Sequence, residues 1–515
     1  MSEFPTSLRI DHKVPLDLSV ITSWWAPKVV LGKKPKENPP PILPSIEETL
    51  RAGIPRVDYY YFPLGELPRW RALLGIPEHT QHQVKEIHRR LVLSPRTMRG
   101  APAHYDISRR LRMHFTHARV AGTTGGINAI ATNASDIAQR VCTAKELLGL
   151  DAPLAPPYLG HLDTDCCQRE RSGECPEKGG SVCGIYAVAA ALRLASIAGA
   201  RVVEAVGGPA GRVNHVDGDA SCGPLYDFMD VVQEECKQAG AARPRADHAD
   251  PLEDELVWSR RVASNLFVLA NYILRQLPPT DEPHRCPPVS LALEIEPGAV
   301  FWLNSISHYD SVINSYRRVV QRYMASLTER DVQRFKGFED CRSPIDSATT
   351  SQLTEVFYRC VGLNVDVGHM FLTRTHPCQV APLCGLVDDP KPDLCPDGLD
   401  GLGGSRNCQW LDGDESAWRR RAESVLHYHL SDQHLVHYGD LPPGERHARA
   451  EFAPWLRQAY ALAQLVETPG KVAAHPNYTA CLALELEASP KGVDQVVMAY
   501  HQTRRWIQDI MEHGI

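Results

Sequence analysis

Val289-Ser-Leu-Ala-Leu-Glu-Ile-Glu296, Val361-Gly-Leu-Asn-Val-Asp366, Val425-Leu-His-Tyr-His-Leu430 and Cys481-Leu-Ala-Leu-Glu-Leu-Glu487 decide how this chain is read. Each is a short, mostly apolar run, as expected of a strand covered on both faces in a parallel sheet. The segments between and after them carry helical patterns, over 310–327, 351–360, 450–467 and 493–512. Strand and helix alternating in this way predict a parallel α/β architecture. Upstream, apolar residues recur with helical period at Leu256, Val257, Val262, Leu266, Leu269 and Ile273, and a second helix is predicted over 183–200. Weaker strands are predicted at 18–22, 56–62, 89–93 and 201–206. The expectation is one (β/α)8 TIM barrel formed by 1–515 and best supported over 289–490. Loop insertions, some cysteine-containing, are expected at 27–44, 96–177 and 378–414.

The 515 residues, 43% hydrophobic and 23% charged, have the composition of a globular protein rather than a disordered chain or a fibre. The net charge of −7 argues against nucleic-acid binding of the electrostatic kind, which needs a local excess of Lys and Arg. The longest apolar stretch, 185–200, is short, mostly alanine and interrupted by Arg193, so no membrane span is expected. The opening MSEFPTSLRIDHK lacks a hydrophobic signal core, which points to a cytoplasmic protein. A small-molecule substrate is the expected partner, and a homo-oligomer is allowed.

What ends the four strong strands carries the chemistry. Glu294 and Glu296 end the first, Asp366 with His369 the second, His429 with Asp432 the third, and Glu485 with Glu487 the fourth. A single Glu at a strand end is more often a helix cap or an ion-pair partner. Four successive strands ending this way are harder to explain by solvation, because charged residues are rarely buried without a partner. In a closed parallel barrel these ends converge on the face where active sites sit. Several oxygens and one nitrogen meeting there suit a divalent Mn, Mg, Zn or Fe ion.

The stretches LALEIEPG, VGLNVDVGHMFL, HYHLSDQHLVHYGDLPPGER and LALELEAS resemble the last four strands of the xylose-isomerase-like TIM barrels. That superfamily includes sugar isomerases and epimerases, inosose dehydratases and apurinic endonuclease IV. Its strand-end pattern of Glu, Asp-x-Gly-His, His-x-x-Asp and Glu falls on Glu294, on Asp366 and His369, on His429 and Asp432, and on Glu485. The resemblance implies a divalent ion held by Glu294, Asp366, His429 and Glu485. It also implies that Glu294 and Glu485 move a proton beside a metal-bound carbonyl, with His369 facing the substrate or a second metal. Glu296 and Glu487 share a strand face with Glu294 and Glu485 by the two-residue period, so either member of each pair is a candidate ligand. The first of each is favoured by register.

The reaction implied is isomerisation or epimerisation of a sugar, cyclitol or related polyhydroxylated molecule. Asp432, His434, His437 and His447 supply more metal-binding groups than that reaction needs. They keep open a second metal and a multinuclear alternative, an iron-dependent oxidase or a phosphodiester hydrolase. A third alternative is a barrel that binds or assembles without turnover. Fifteen cysteines include Cys166, Cys167, Cys175 and Cys183, candidates for a structural metal, although their spacing lacks paired C-x2–4-C knuckles. The loops Gly122-Thr-Thr-Gly-Gly-Ile and 207–212 match no phosphate-binding fingerprint.

Overall fold

Eight short strands close into a ring in the computed structural model, each paired in parallel with the strand that follows it in barrel order. They are β1 (Asp17–Ile21), β2 (Arg56–Tyr60), β3 (Gly126–Thr132), β4 (Val202–Val206), β5 (Ser290–Glu294), β6 (Val361–Asp366), β7 (Val425–Leu430) and β10 (Cys481–Leu484). A two-stranded antiparallel ribbon, β8 (Asp432–Gln433) and β9 (Asp440–Leu441), follows β7. The structure describes residues 16–21, 49, 52–54, 56–60, 77, 126–132, 184–198, 200–206, 251–277, 279, 286–297, 303–335, 337–338, 347–381, 420–433, 440–466, 474–486 and 493–513.

The described helices are α1 (Gly184–Ala198), α2 (Pro251–Gln276), α3 (Ile306–Ser326), α4 (Glu329–Val332), α5 (Ser347–Tyr358), α6 (Val367–Leu372), α7 (Pro377–Val380), α8 (Arg449–Val466) and α9 (Val493–His513). Among the described residues no helix is long and apolar enough to cross a membrane. Every residue of β5, β6, β7 and β10 is buried, which accounts for the unbroken apolar runs. Ser305 caps α3 by accepting from the His308 N–H at 3.3 Å, satisfying one of the donors a helix start leaves over. Outside the ring, Phe267, Tyr323, Phe335 and Phe357 interlock edge-to-face or stacked at 4.9–6.4 Å and join α2, α3 and α5.

The four strong strands stand where the sequence puts them, as do β1, β2 and β4 to within a residue or two. The third strand is a correction. It is Gly126–Thr132, inside the 96–177 stretch expected to be an insertion. Glycine, alanine, asparagine and threonine dilute its apolar signal, and the glycine run before it reads as a loop. The strand expected at 89–93, the stretch 27–44 and Cys166, Cys167, Cys175 and Cys183 lie outside the described residues, as does most of 378–414. Within that last stretch, Cys378 belongs to α7. Cys286, Cys360, Cys378 and Cys481 form no disulfide among the described residues.

One glycine sets the floor of the barrel interior. The pairing of β6 with β7 slips after Leu363–Val425, so that Asn364 faces His427 and Leu426 is the extra residue of a bulge. Val202, Ala292 and Leu426 form a small apolar cluster separate from the main core. A Cβ on Gly362 would stand 2.6 Å from Leu426 Cδ1 and collide with the Ser424 carbonyl. Hydrogen here makes room for the leucine. Gly362→Ala is expected to cost about 1–3 kcal/mol of stability, read as a lower urea midpoint; an unchanged midpoint would refute this packing.

Candidate metal centre

Four neighbouring strands of the ring deliver one group each to the C-terminal face. Glu294 is the last residue of β5, Asp366 the last of β6, His429 the fifth of β7, and Glu485 the first residue after β10. A donor atom from each lies within 4.8 Å of a donor atom from every other. His429 Nδ1 is 2.9 Å from Glu485 Oε2, 3.6 Å from Glu294 Oε1 and 4.0 Å from Asp366 Oδ2. The first three residues are almost inaccessible, while the Glu485 side chain keeps 21% exposure and marks the open side.

Asp366 has two jobs. Its Oδ1 caps α6 by accepting from the His369 N–H at 2.9 Å, which leaves Oδ2 facing the cluster. The same cap places the His369 ring over the site, with Nδ1 3.2 Å from Glu294 Oε1 and Nε2 3.8 Å from Glu296 Oε2. Glu296 therefore joins a second grouping with His369 and Glu294. His369 also groups with Asp366 and Asp440.

Burial works to raise Glu294, but the His429 and His369 imidazoles beside it hold its carboxyl well below the usual range. Burial, with Glu294 next to it, pushes Glu204 of β4 well up, so a shared proton rests on Glu204. Burial and the carboxylates Glu294 and Glu485 push Asp366 up to about 7, against the two histidines. Burial works to lower His429 and His369, and the surrounding carboxylates outweigh it and raise both. The set fits a cation on a further ground. Glu294 Oε1 and Asp366 Oδ2 are buried and accept no hydrogen bond among the described residues, a costly state that a bound ion removes.

Asp432, expected to face a substrate or a second metal, is held by its own loop. The chain turns into β8 at this residue, and both carboxylate oxygens are taken by the returning loop. Oδ1 accepts from the Gln433 N–H at 2.9 Å and meets His447 Nδ1 at 2.6 Å; Oδ2 accepts from the N–H groups of Arg446 and His447 at 2.7 and 2.9 Å. His447 stacks on Phe371 at 4.2 Å. The Pro442–Glu445 turn before it closes through the Glu445 N–H to the Pro442 carbonyl, with Gly444 at φ +93°, where a side chain would be strained. Asp432 is thus a clasp for this loop. His434 and Glu487 lie outside the described residues.

Sequence reading passed over Asp58, Glu204 and His427, all buried in the barrel. The signal was present, since each is an ionisable residue inside a predicted strand, and His427 shares a strand face with His429 by the two-residue period.

No family model and no curated protein matches the chain. Among solved structures it is similar to the IolI protein with a bound zinc atom, at 9% identity and a TM-score of 0.37, over 96% of this chain and 98% of that one. It is also similar to D-psicose 3-epimerase crystallised with D-fructose, at 9% identity and a TM-score of 0.31, with the same coverage. These likenesses are remote, and the site is assigned on its own residues.

The raised Asp366 carboxyl has a definite sign in stability. Between about pH 4 and about pH 7 the folded protein keeps a proton that the unfolded chain releases, so stability falls as pH rises through that window. Asn preserves the cap and removes the charge. With chelator present, the melting temperature of Asp366→Asn should therefore gain on the wild type as pH rises, by the equivalent of up to about 4 kcal/mol. A gap that stays constant over this range would show that Asp366 is not crowded by carboxylates.

Proposed function

We propose that this protein is a divalent-metal-dependent isomerase or epimerase of a polyhydroxylated small molecule, a sugar or a cyclitol. Glu294, Asp366, His429 and Glu485 would hold the ion. The observation that carries the reading is the convergence of these four side chains from four neighbouring strands, with Glu294 Oε1 and Asp366 Oδ2 buried and accepting no hydrogen bond among the described residues. Three carboxylates and one imidazole suit Mn, Mg, Zn or Fe. When bound, such an ion polarises a substrate carbonyl or hydroxyl and makes the adjacent C–H acidic.

The protein's own groups handle the proton. Glu294, held ionised by its histidines, is the acceptor on the closed side, and the Glu204 acid beside it supplies the hydrogen bond that keeps it so. Glu485, the most accessible of the set, is the second carboxylate and stands at the open side where a substrate enters. Two carboxylates flanking one carbon are what removal and return of a proton requires. His369, between Glu294 and Glu296, presents a cationic ring to the same space and would orient substrate oxygens.

A second reading has its own observation. His369 shares donor groupings with Glu294 and Glu296 and with Asp366 and Asp440, so a second ion at His369 would turn the centre toward hydrolysis or oxidation. Metal analysis separates the two. One equivalent per chain, lost in His429→Ala but retained in His369→Gln, is the expected result; two equivalents, one of them lost in His369→Gln, would favour the second. Incubation of ketoses and inososes in D2O should show deuterium wash-in at the carbon beside the carbonyl, slowed on the order of 10²–10⁴-fold in Glu485→Gln. A protein that stays metal-free after reconstitution and exchanges no C–H would sink the proposal.

A further inference from the structure

Beneath the carboxylate ring lies a polar layer that the chemistry above does not use. Asp58 of β2 and His427 of β7 meet at 2.7 Å between Oδ2 and Nε2. Ser19 Oγ donates to Asp58 Oδ1 at 2.8 Å, and Thr479 Oγ1 stands 2.9 Å from His427 Nδ1. Asp58 is 1% exposed and His427 not at all. Barrel interiors are ordinarily filled by branched apolar side chains, and desolvating a carboxylate costs several kcal/mol even when it is paired. A well-packed apolar pair would serve stability as well or better. The charge at this depth therefore calls for another account.

His427 and His429 project from the same face of β7, and their rings meet at 89° with centroids 5.1 Å apart. His429 turns Nδ1 toward Glu485, Glu294 and Asp366. Its Nε2 is buried and makes no hydrogen bond among the described residues. Donor atoms of Asp58, His427 and His429 nevertheless lie within 4.8 Å of one another. An imidazole that gives one nitrogen to a cation carries its proton on the other, and that N–H is ordinarily directed at a carboxylate or a carbonyl, which fixes both tautomer and ring angle.

We propose that Asp58 is the positioning residue for His429. Held in place by His427 and Ser19, its carboxylate faces the Nε2 side of the His429 ring, keeps the proton there, and leaves the Nδ1 lone pair for a cation shared with Glu294, Asp366 and Glu485. His427 acts as the brace that keeps a buried carboxylate in place. This inference rests on the metal reading above.

The test uses the full chain and Co(II) at one equivalent. Asp58→Asn should bind Co(II) about 10–100-fold more weakly than the wild type. In the Co(II)-loaded wild type, the ligand imidazole N–H should appear as a paramagnetically shifted proton that survives saturation of the water signal, because Asp58 shields it. In Asp58→Asn that proton should exchange faster. A purely structural role for Asp58 would change the melting temperature without moving this resonance. If Asp58→Asn binds within about threefold of the wild type with the proton unchanged, the inference is overturned while the metal reading stands. Should the variant not fold, the wild-type spectrum decides alone: a protected N–H supports the proposal and its absence overturns it. A wild type that takes up no Co(II) overturns both.

Discussion

Four ionisable side chains with donor atoms within 4.8 Å, three of them nearly sealed from water, set the terms for the rest of this structure. Two like charges about 4 Å apart at an effective dielectric of about 20 repel by about 4 kcal/mol. Burial first, and then the carboxylates Glu294 and Glu485, raise Asp366 from 3.8 to about 7. Burial and neighbouring carboxylates raise Asp366 and Glu204, and the carboxylates raise His369 and His429, so all four favour their protonated forms. These protons are the charges that a divalent ion would displace, and so binding of an ion and release of protons are linked. A barrel is suited to the task because neighbouring parallel strands present their C-terminal ends side by side. No local segment could bring these four residues together.

The interior below the site is layered. The apolar floor of Val202, Ala292 and Leu426 depends on the missing side chain at Gly362. Above it stand Asp58, His427, Glu204 and Asn364, and above those the four convergent groups. Asn364, whose amide oxygen and nitrogen are both buried and make no hydrogen bond among the described residues, stands level with His427. Polar residues stacked beneath a charged cluster raise the local polarity and give its members fixed dipoles to lean on. At the opposite end of the strands, His475 and Asn477 tie the loop before β10 to Pro287, Ser290 and Arg359. Burial lowers His475 to about 3, so it is neutral there and serves only as a brace.

How much of this could be read beforehand follows from where each signal resides. β5, β6, β7 and β10 are buried on both faces, so burial writes itself into sequence as a continuous apolar run. Their charged ends stand out because nothing in an apolar run predicts them. Glu294, Asp366, His429 and Glu485 were legible for that reason. β3 was not, because its glycine, alanines, asparagine and threonine leave only two strongly apolar residues, Ile127 and Ile130, to signal a strand. Asp58, Glu204 and His427 sit within runs rather than at their ends, and a charge inside a short strand is easily read as an exposed face. Asp432 shows the converse. It stands in the His-x-x-Asp motif beside a true member of the cluster, yet its oxygens are committed by backbone N–H groups of 446 and 447, contacts that depend on a loop closure the sequence does not display.

That closure bears on how the site differs from a bare ring of ligands. The Asp432 clasp, the Pro442–Glu445 turn and the stacking of His447 on Phe371 fasten the segment after β9 to α6, the helix that carries His369. Gln502 Nε2 donates to the Pro443 carbonyl, so α9 holds the other side of the same turn. His369 is therefore fixed from two directions, by its capping contact with Asp366 and by the loop packed on its helix. The ring stands between two carboxylates, with Nδ1 3.2 Å from Glu294 Oε1 and 3.8 Å from Asp366 Oδ2, so it borders the four main groups. His429 comes to the cluster from a strand and His369 from the helix that follows the neighbouring strand, so the two imidazoles meet the same carboxylates from different sides.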